Sequence, residues 1–139
     1  MTLSLLAAKS IADAAIRRAR QLNINVSVAV CDDQGHLIVL NRMDGAKSLA
    51  DVNRLCIGKA IVSAGTGRPS GEMSSGEMLG VNHTPVDLVV AEGMPAICIQ
   101  GGLPILRGGK VEGSCGVAGS ERCEQDEECA RAGIASVEA

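Results

Sequence analysis

The chain has 139 residues, 13 basic against 16 acidic side chains, a formal charge of −3, and no Phe, Tyr or Trp. This length fits one domain with a real core, and the slight acidity without a basic stripe argues against nucleic acid as a partner. With no rings, the core must be filled by Leu, Ile, Val, Met, Ala and Cys, and a flat ligand has nothing to stack on.

The N-terminus Met1-Thr-Leu-Ser-Leu-Leu-Ala-Ala-Lys9 has no positive residues ahead of its apolar ones. Nor does any run approach the roughly 20 apolar residues of a spanning helix. A cytosolic protein without membrane contact is therefore expected. The six cysteines, Cys31, Cys56, Cys98, Cys115, Cys123 and Cys129, include no C-x-x-C pair. That spacing fits neither a disulfide framework nor a zinc site, and reduced thiols serving as small core hydrophobes are expected.

Leu5, Ala8, Ala12, Ala15, Ala19 and Leu22 recur in steps of three and four, opposite Lys9, Asp13, Arg17 and Arg20. This is an amphipathic helix that Thr2 or Ser4 caps. From Val26 two β-patterned runs follow, joined by the turn-forming Asp32-Asp-Gln-Gly35. They predict a hairpin that carries Arg42 and Asp44 to one corner, with His36, Ile38, Leu40 and Arg42 on one face.

A second helix is expected from about Ser48 to Ala64, with Leu49, Val52, Leu55, Cys56, Ala60 and Ile61 as its apolar row. Lys59 lies beside that row. Its ordinary role is to snorkel, and its functional one is to place a cation at a pocket floor. Residues 65 to 84 contain a duplication, Ser70-Gly-Glu-Met73 and Ser75-Gly-Glu-Met78, and read as a long binding loop or surface loop. Val86 to Ala91 is ambiguous between strand and helix, whereas Pro95 to Gln100 reads as a strand. Gly101-Gly102 breaks the backbone before a short strand through Leu106, Gly108-Gly109 turns it, and Val111 to Val117 completes the sheet. Ser120 is the expected cap of a last helix whose first turns are acidic. This order predicts an α+β fold.

Arg42-Met-Asp-Gly45, Gly58-Lys-Ala60 with Gly67-Arg-Pro69, Gly101-Gly-Leu-Pro-Ile105, and Gly116-Val-Ala-Gly119 leading to Glu124-Gln-Asp-Glu127 occur in that order. Together they resemble the GlcG-like, or haem-degrading domain, family, which includes HbpS-like proteins and the C-terminal domain of PduO-type corrinoid adenosyltransferases. The resemblance covers nearly the whole chain, residues 1–139, as a single GlcG-like domain. It implies a profilin-like fold, with an antiparallel sheet of about five strands flanked by helices, and a homo-oligomer.

Three functions follow as expectations. The first is a cytosolic small-ligand-binding protein of the GlcG/HbpS type, with haem or a related tetrapyrrole as ligand. His36, Arg42, Met43, Gly101, Gly102 and Asp126 are its candidate binding residues; the candidate iron donors are His36, His83, Met43, Met73, Met78 and the thiols, with His83 the candidate haem ligand, since imidazole, thioether and thiolate are the usual haem donors. The second is an isomerase, lyase or hydrolase of a small organic acid. There Arg42 and Lys59 clamp the anion and Asp44, Glu124 or Asp126 serves as general base, leaving Asp44, Lys59 and Glu124 as the catalytic candidates. The third is a non-catalytic oligomeric accessory protein. Against the functional roles stands a plain one for Arg42, in which it pairs with Asp126 or Glu124 and ties the hairpin to the last helix. No nucleophile-elbow, Walker or zincin motif is present.

Overall fold

The computed structural model describes residues 3–47, 50–73 and 93–138. Helix α1 (Leu5–Gln21) starts where the sequence places it, because the Ser4 hydroxyl accepts the Ala7 N–H at 3.1 Å. Strands β1 (Ser27–Asp32) and β2 (Leu37–Arg42) form the first hairpin. Helix α2 (Val52–Thr66) is followed by a short 3-10 turn at Ser70–Glu72. Strands β3 (Gly102–Arg107) and β4 (Lys110–Ala118) form a second hairpin, and helix α3 (Cys123–Ala135) closes the order.

The described strands make one antiparallel sheet in the order β2-β1-β4-β3. It is covered on both faces. Val26, Val28, Val30, Cys115 and Val117 meet α1 and α3 on one side, with Ile11, Ala15, Cys129 and Ile134 among their partners. Ala29, Cys31 and Ala118 meet α2 on the other, against Cys56, Ala60 and Ile61. The alternation of β1 thus feeds two cores, larger residues to one face and small ones to the other. The fold is α+β, as expected, with four strands among the described residues.

Helix α2 lies so close to the sheet that a side chain at Gly116 would collide with the Cys56 carbonyl and the Ala60 amide. The only residue that fits there has no Cβ. Three local expectations are corrected. The α2 start moves to Val52, because the Asp51 carboxylate accepts the Asn53 N–H at 3.0 Å and caps it there. Pro95 to Gln100 is not a strand; Ile97 N–H donates to Gly58 O of α2 at 3.2 Å, so the segment crosses that helix instead of joining the sheet. Ser120 is not the cap of α3, which begins beyond Arg122; its hydroxyl accepts the Arg122 N–H instead, at 3.1 Å. Val86 to Ala91 lies outside the described residues.

Candidate functional site

Lys59 belongs to α2, on the opposite side of the sheet from α3, yet its ammonium reaches α3. Nζ donates to Val117 O at 2.9 Å and to Asp126 Oδ2 at 3.3 Å, with the two residues 2 % and 1 % exposed. The passage exists because of Gly101, where a Cβ would lie 2.8 Å from Lys59 Nζ and 2.9 Å from its Cδ. Its φ of +138° also suits glycine. Asp126 Oδ1 accepts the Ser120 N–H at 3.0 Å. Burial pushes the Asp126 carboxyl above its ordinary value, opposed by the Lys59 ammonium and the Ser120 N–H. Beside it the Ser70 hydroxyl donates to Ile99 O and accepts the Gly102 N–H at 2.9 Å, pinning the diglycine bend. Lys59, Gly101, Gly102 and Asp126 are therefore one cluster.

The first hairpin ends elsewhere. Arg42 Nε and Nη2 donate to Ala46 O at 3.3 and 2.9 Å, so its guanidinium closes its own turn. The expected Arg42 pairing with Asp126 or Glu124 does not form, since Asp126 is already bonded to Lys59 and Glu124 is exposed on α3. Met43 Sδ accepts the Val26 N–H at 3.4 Å, and Asp44 and Gly45 are exposed at the turn. An open groove of about 610 Å³ runs along this corner, lined by Arg20, Asn25, Asn41, Arg42, Met43 and Asp44 among others.

Arg42 faces Ser27, and Ser27 faces Ala118, next to the residue that bonds Gly101. The two corners thus share one end of the sheet but occupy opposite edges, roughly 14 Å apart at about 4.8 Å per strand. The common cavity expected beside Lys59 is not formed by the described residues, because β1 and β4 intervene. His36 sits at the other end of β2, roughly 20 Å from Arg42 at about 3.3 Å per residue. There it is exposed, its N–H bonded to Asp32 Oδ1 at 2.9 Å and its Nδ1 3.7 Å from Asp32 Oδ2. It therefore belongs to the turn and not to the Arg42 corner. His83 lies outside the described residues.

Sequence reasoning missed the partnership of Lys59 and Asp126, 67 positions apart, because no local pattern links them. Ser70 was also missed, since one serine in a polar loop carries no signal of burial.

The family model of haem-degrading HbpS-like proteins matches residues 3–135. The chain belongs to the HbpS-like family. It is similar to HbpS of Streptomyces reticuli, solved as a double mutant, with 28% identity and a TM-score of 0.82 over 100% of this chain and 89% of that one. The ORFY protein of Klebsiella pneumoniae gives 26% identity and a TM-score of 0.78 over 98% and 90%. A PduOC chain solved in complex with haem gives 25% and 0.77 over 99% and 96%. A 15.0 kDa Citrobacter freundii protein from the dhaT-dhaS intergenic region is 29% identical over 90% of this chain and 84% of its own.

Haem needs an axial donor, and neither Met43, His36 nor the four buried thiols of this HbpS-like chain is set up as one. Met43 has its sulfur engaged by Val26, and His36 stands exposed at a hairpin tip. Burial pushes the Cys31, Cys56 and Cys129 thiols up to about 12 and Cys115 higher still, so at neutral pH they are thiols and not thiolate ligands. Among the described residues no three His, Cys, Asp or Glu side chains are grouped to hold a metal ion.

Proposed function

We propose that the protein binds a small ligand and that this ligand is haem or a related tetrapyrrole. The observation that carries the reading is the match over 99% of the chain to a family member solved with haem. The geometry favours binding over catalysis. Lys59 and Asp126, the cation and base of an organic-acid enzyme, are bonded to each other out of reach of solvent. Asp44 and Glu124 are exposed acids without a neighbouring cation within ion-pair distance among the described residues.

Titration with haem, followed at the Soret band, tests the reading directly. A saturable one-to-one change is expected, lost in His83→Ala and retained in His36→Ala, because His36 is held at the hairpin tip. Absence of a saturable change overturns the proposal. The chain contains no aromatic residue, so protein absorbance does not obscure the near-ultraviolet region of that titration.

A second reading rests on the groove at the hairpin end, where Arg20, Asn25 and Arg42 line the same space. It makes the ligand a small carboxylate. A thermal-shift screen of carboxylic and keto acids then shows stabilisation that Arg42→Ala removes.

The assembly we propose is a homo-oligomer. Edge strand β2 supports it, with Leu37 and Leu40 exposed and no proline or lysine along its length. Light scattering on the purified chain decides this, and a monomer at all concentrations contradicts it.

A further inference from the structure

A second groove, of about 720 Å³, lies between the start of α1, the β3–β4 hairpin and the residues after α3. Leu3, Ala7, Ile105, Leu106 and Val137 give it apolar walls. Among the described residues no histidine, methionine or cysteine lines it, so these residues offer haem iron no donor. Its distinguishing feature is Glu112, a carboxylate-bearing residue only 7 % exposed.

Glu112 is where it is because of a bulge. Ile105 faces Gly113 and Leu106 faces Val111, which leaves Glu112 as the extra residue of β4 with no opposite number on β3. A bulge breaks the alternation of side chains and re-aims the one it inserts. Leu3 N–H donates to Glu112 O at 3.2 Å and holds that backbone against the start of α1. The carboxylate accepts Arg107 Nε at 2.9 Å, but the Arg107 side chain is 70 % exposed. The pairing is unequal: a buried acid that is costly to leave unpaired meets a solvated arm whose own contribution is small. Among the described lining residues the other charged one is Glu138, exposed at the rim, so these side chains together are net acidic.

We infer that this groove binds a small aliphatic amine in its ammonium form. The alkyl chain lies on Leu3, Ala7, Ile105, Leu106 and Val137, and the ammonium donates to Glu112 in place of the Arg107 Nε–H. Arg107 then swings into water at little cost.

Calorimetric titration of the intact chain with n-hexylamine, hexanoic acid and hexanol at low salt tests this. Hexylamine is expected to bind saturably, hexanol at least about tenfold more weakly, and hexanoate not at all, since only the ammonium makes a charge-assisted bond to Glu112. Glu112→Gln loses about tenfold or more for the amine. Arg107→Ala, which keeps the carboxylate and removes its competitor, binds the amine as tightly as the parent or more so. Equal binding of amine and carboxylate overturns the inference, as does loss of amine binding in Arg107→Ala. Circular dichroism of Glu112→Gln establishes that it is folded, and the Arg107→Ala result decides the matter if it is not.

Discussion

Lys59 stabilises the fold only as half of a pair. Its stem fills core volume, while its ammonium and the Asp126 carboxylate satisfy each other where water does not reach. Breaking such a pair by removing one partner leaves a buried charge uncompensated, whereas replacing both with apolar groups is often neutral. Lys59→Met is therefore expected to lose about 3–5 kcal/mol in urea unfolding. The double variant Lys59→Met with Asp126→Leu should regain most of that loss. A Lys59→Met protein as stable as the parent would show that Asp126 does not depend on the ammonium. Arg42 behaves differently, since its guanidinium is exposed and bonded to one carbonyl of its own turn. Arg42→Ala should cost no more than about 1 kcal/mol, which makes it a clean probe of ligand binding.

At the scale of elements, the molecule depends on how closely helix α2 approaches the sheet. Gly116 sets that distance, because its missing side chain leaves room for the Cys56 carbonyl and the Ala60 amide. Gly116→Ala puts a methyl group against helix backbone, which has no rotamer by which to move aside. The expected loss is about 1–3 kcal/mol or more, read as a lower urea midpoint with an unchanged slope. An unaffected midpoint would mean that α2 shifts freely on the sheet. Several element boundaries were legible from a cap or turn residue, although the Asp51 cap of α2 was not. Ser4 marks the start of α1, the Gly108-Gly109 pair turns the second hairpin, and the alternation of Val26 to Cys31 yields β1. Pro95 to Gln100 was misread because an apolar run has the same composition whether it pairs with a strand or lies across a helix.

For the molecule as a whole, the buried thiols predict a limit on alkaline stability. Cys31, Cys56 and Cys129 are raised from 9.0 to about 12 in the folded chain, chiefly by burial. The unfolded chain releases these protons first, near its ordinary value, so it binds fewer protons than the native state between the two values. Stability from this source is complete below about pH 9 and falls as the pH rises toward 12, by up to about 1.4 kcal/mol per pH unit for each thiol. The urea midpoint should thus decline through that window, and because Cys115 is raised as well, Cys31→Ala should flatten the decline by about a quarter of the contribution of the four thiols. No change of slope on removing the thiol would assign the alkaline transition to other groups. In the native state these thiols should also resist alkylation at pH 8, because both access and thiolate are lacking.

Read alone, the sequence established the fold class, the family and the nature of the core. Periodicity, turn residues and the absence of rings are properties of neighbours along the chain. It also named Lys59, Gly101, Gly102 and Asp126 as special. Which of them touch was decided only by the tertiary structure, since Lys59 finds Asp126 through a gap at Gly101 that exists only once β3 and β4 have paired. The separation of Arg42 from that cluster was likewise decided by strand order, because two strands stand between corners that the chain order leaves free to meet. The inward turn of Glu112 had no sequence signal, as one residue of register slip between two strands cannot be seen in either strand alone.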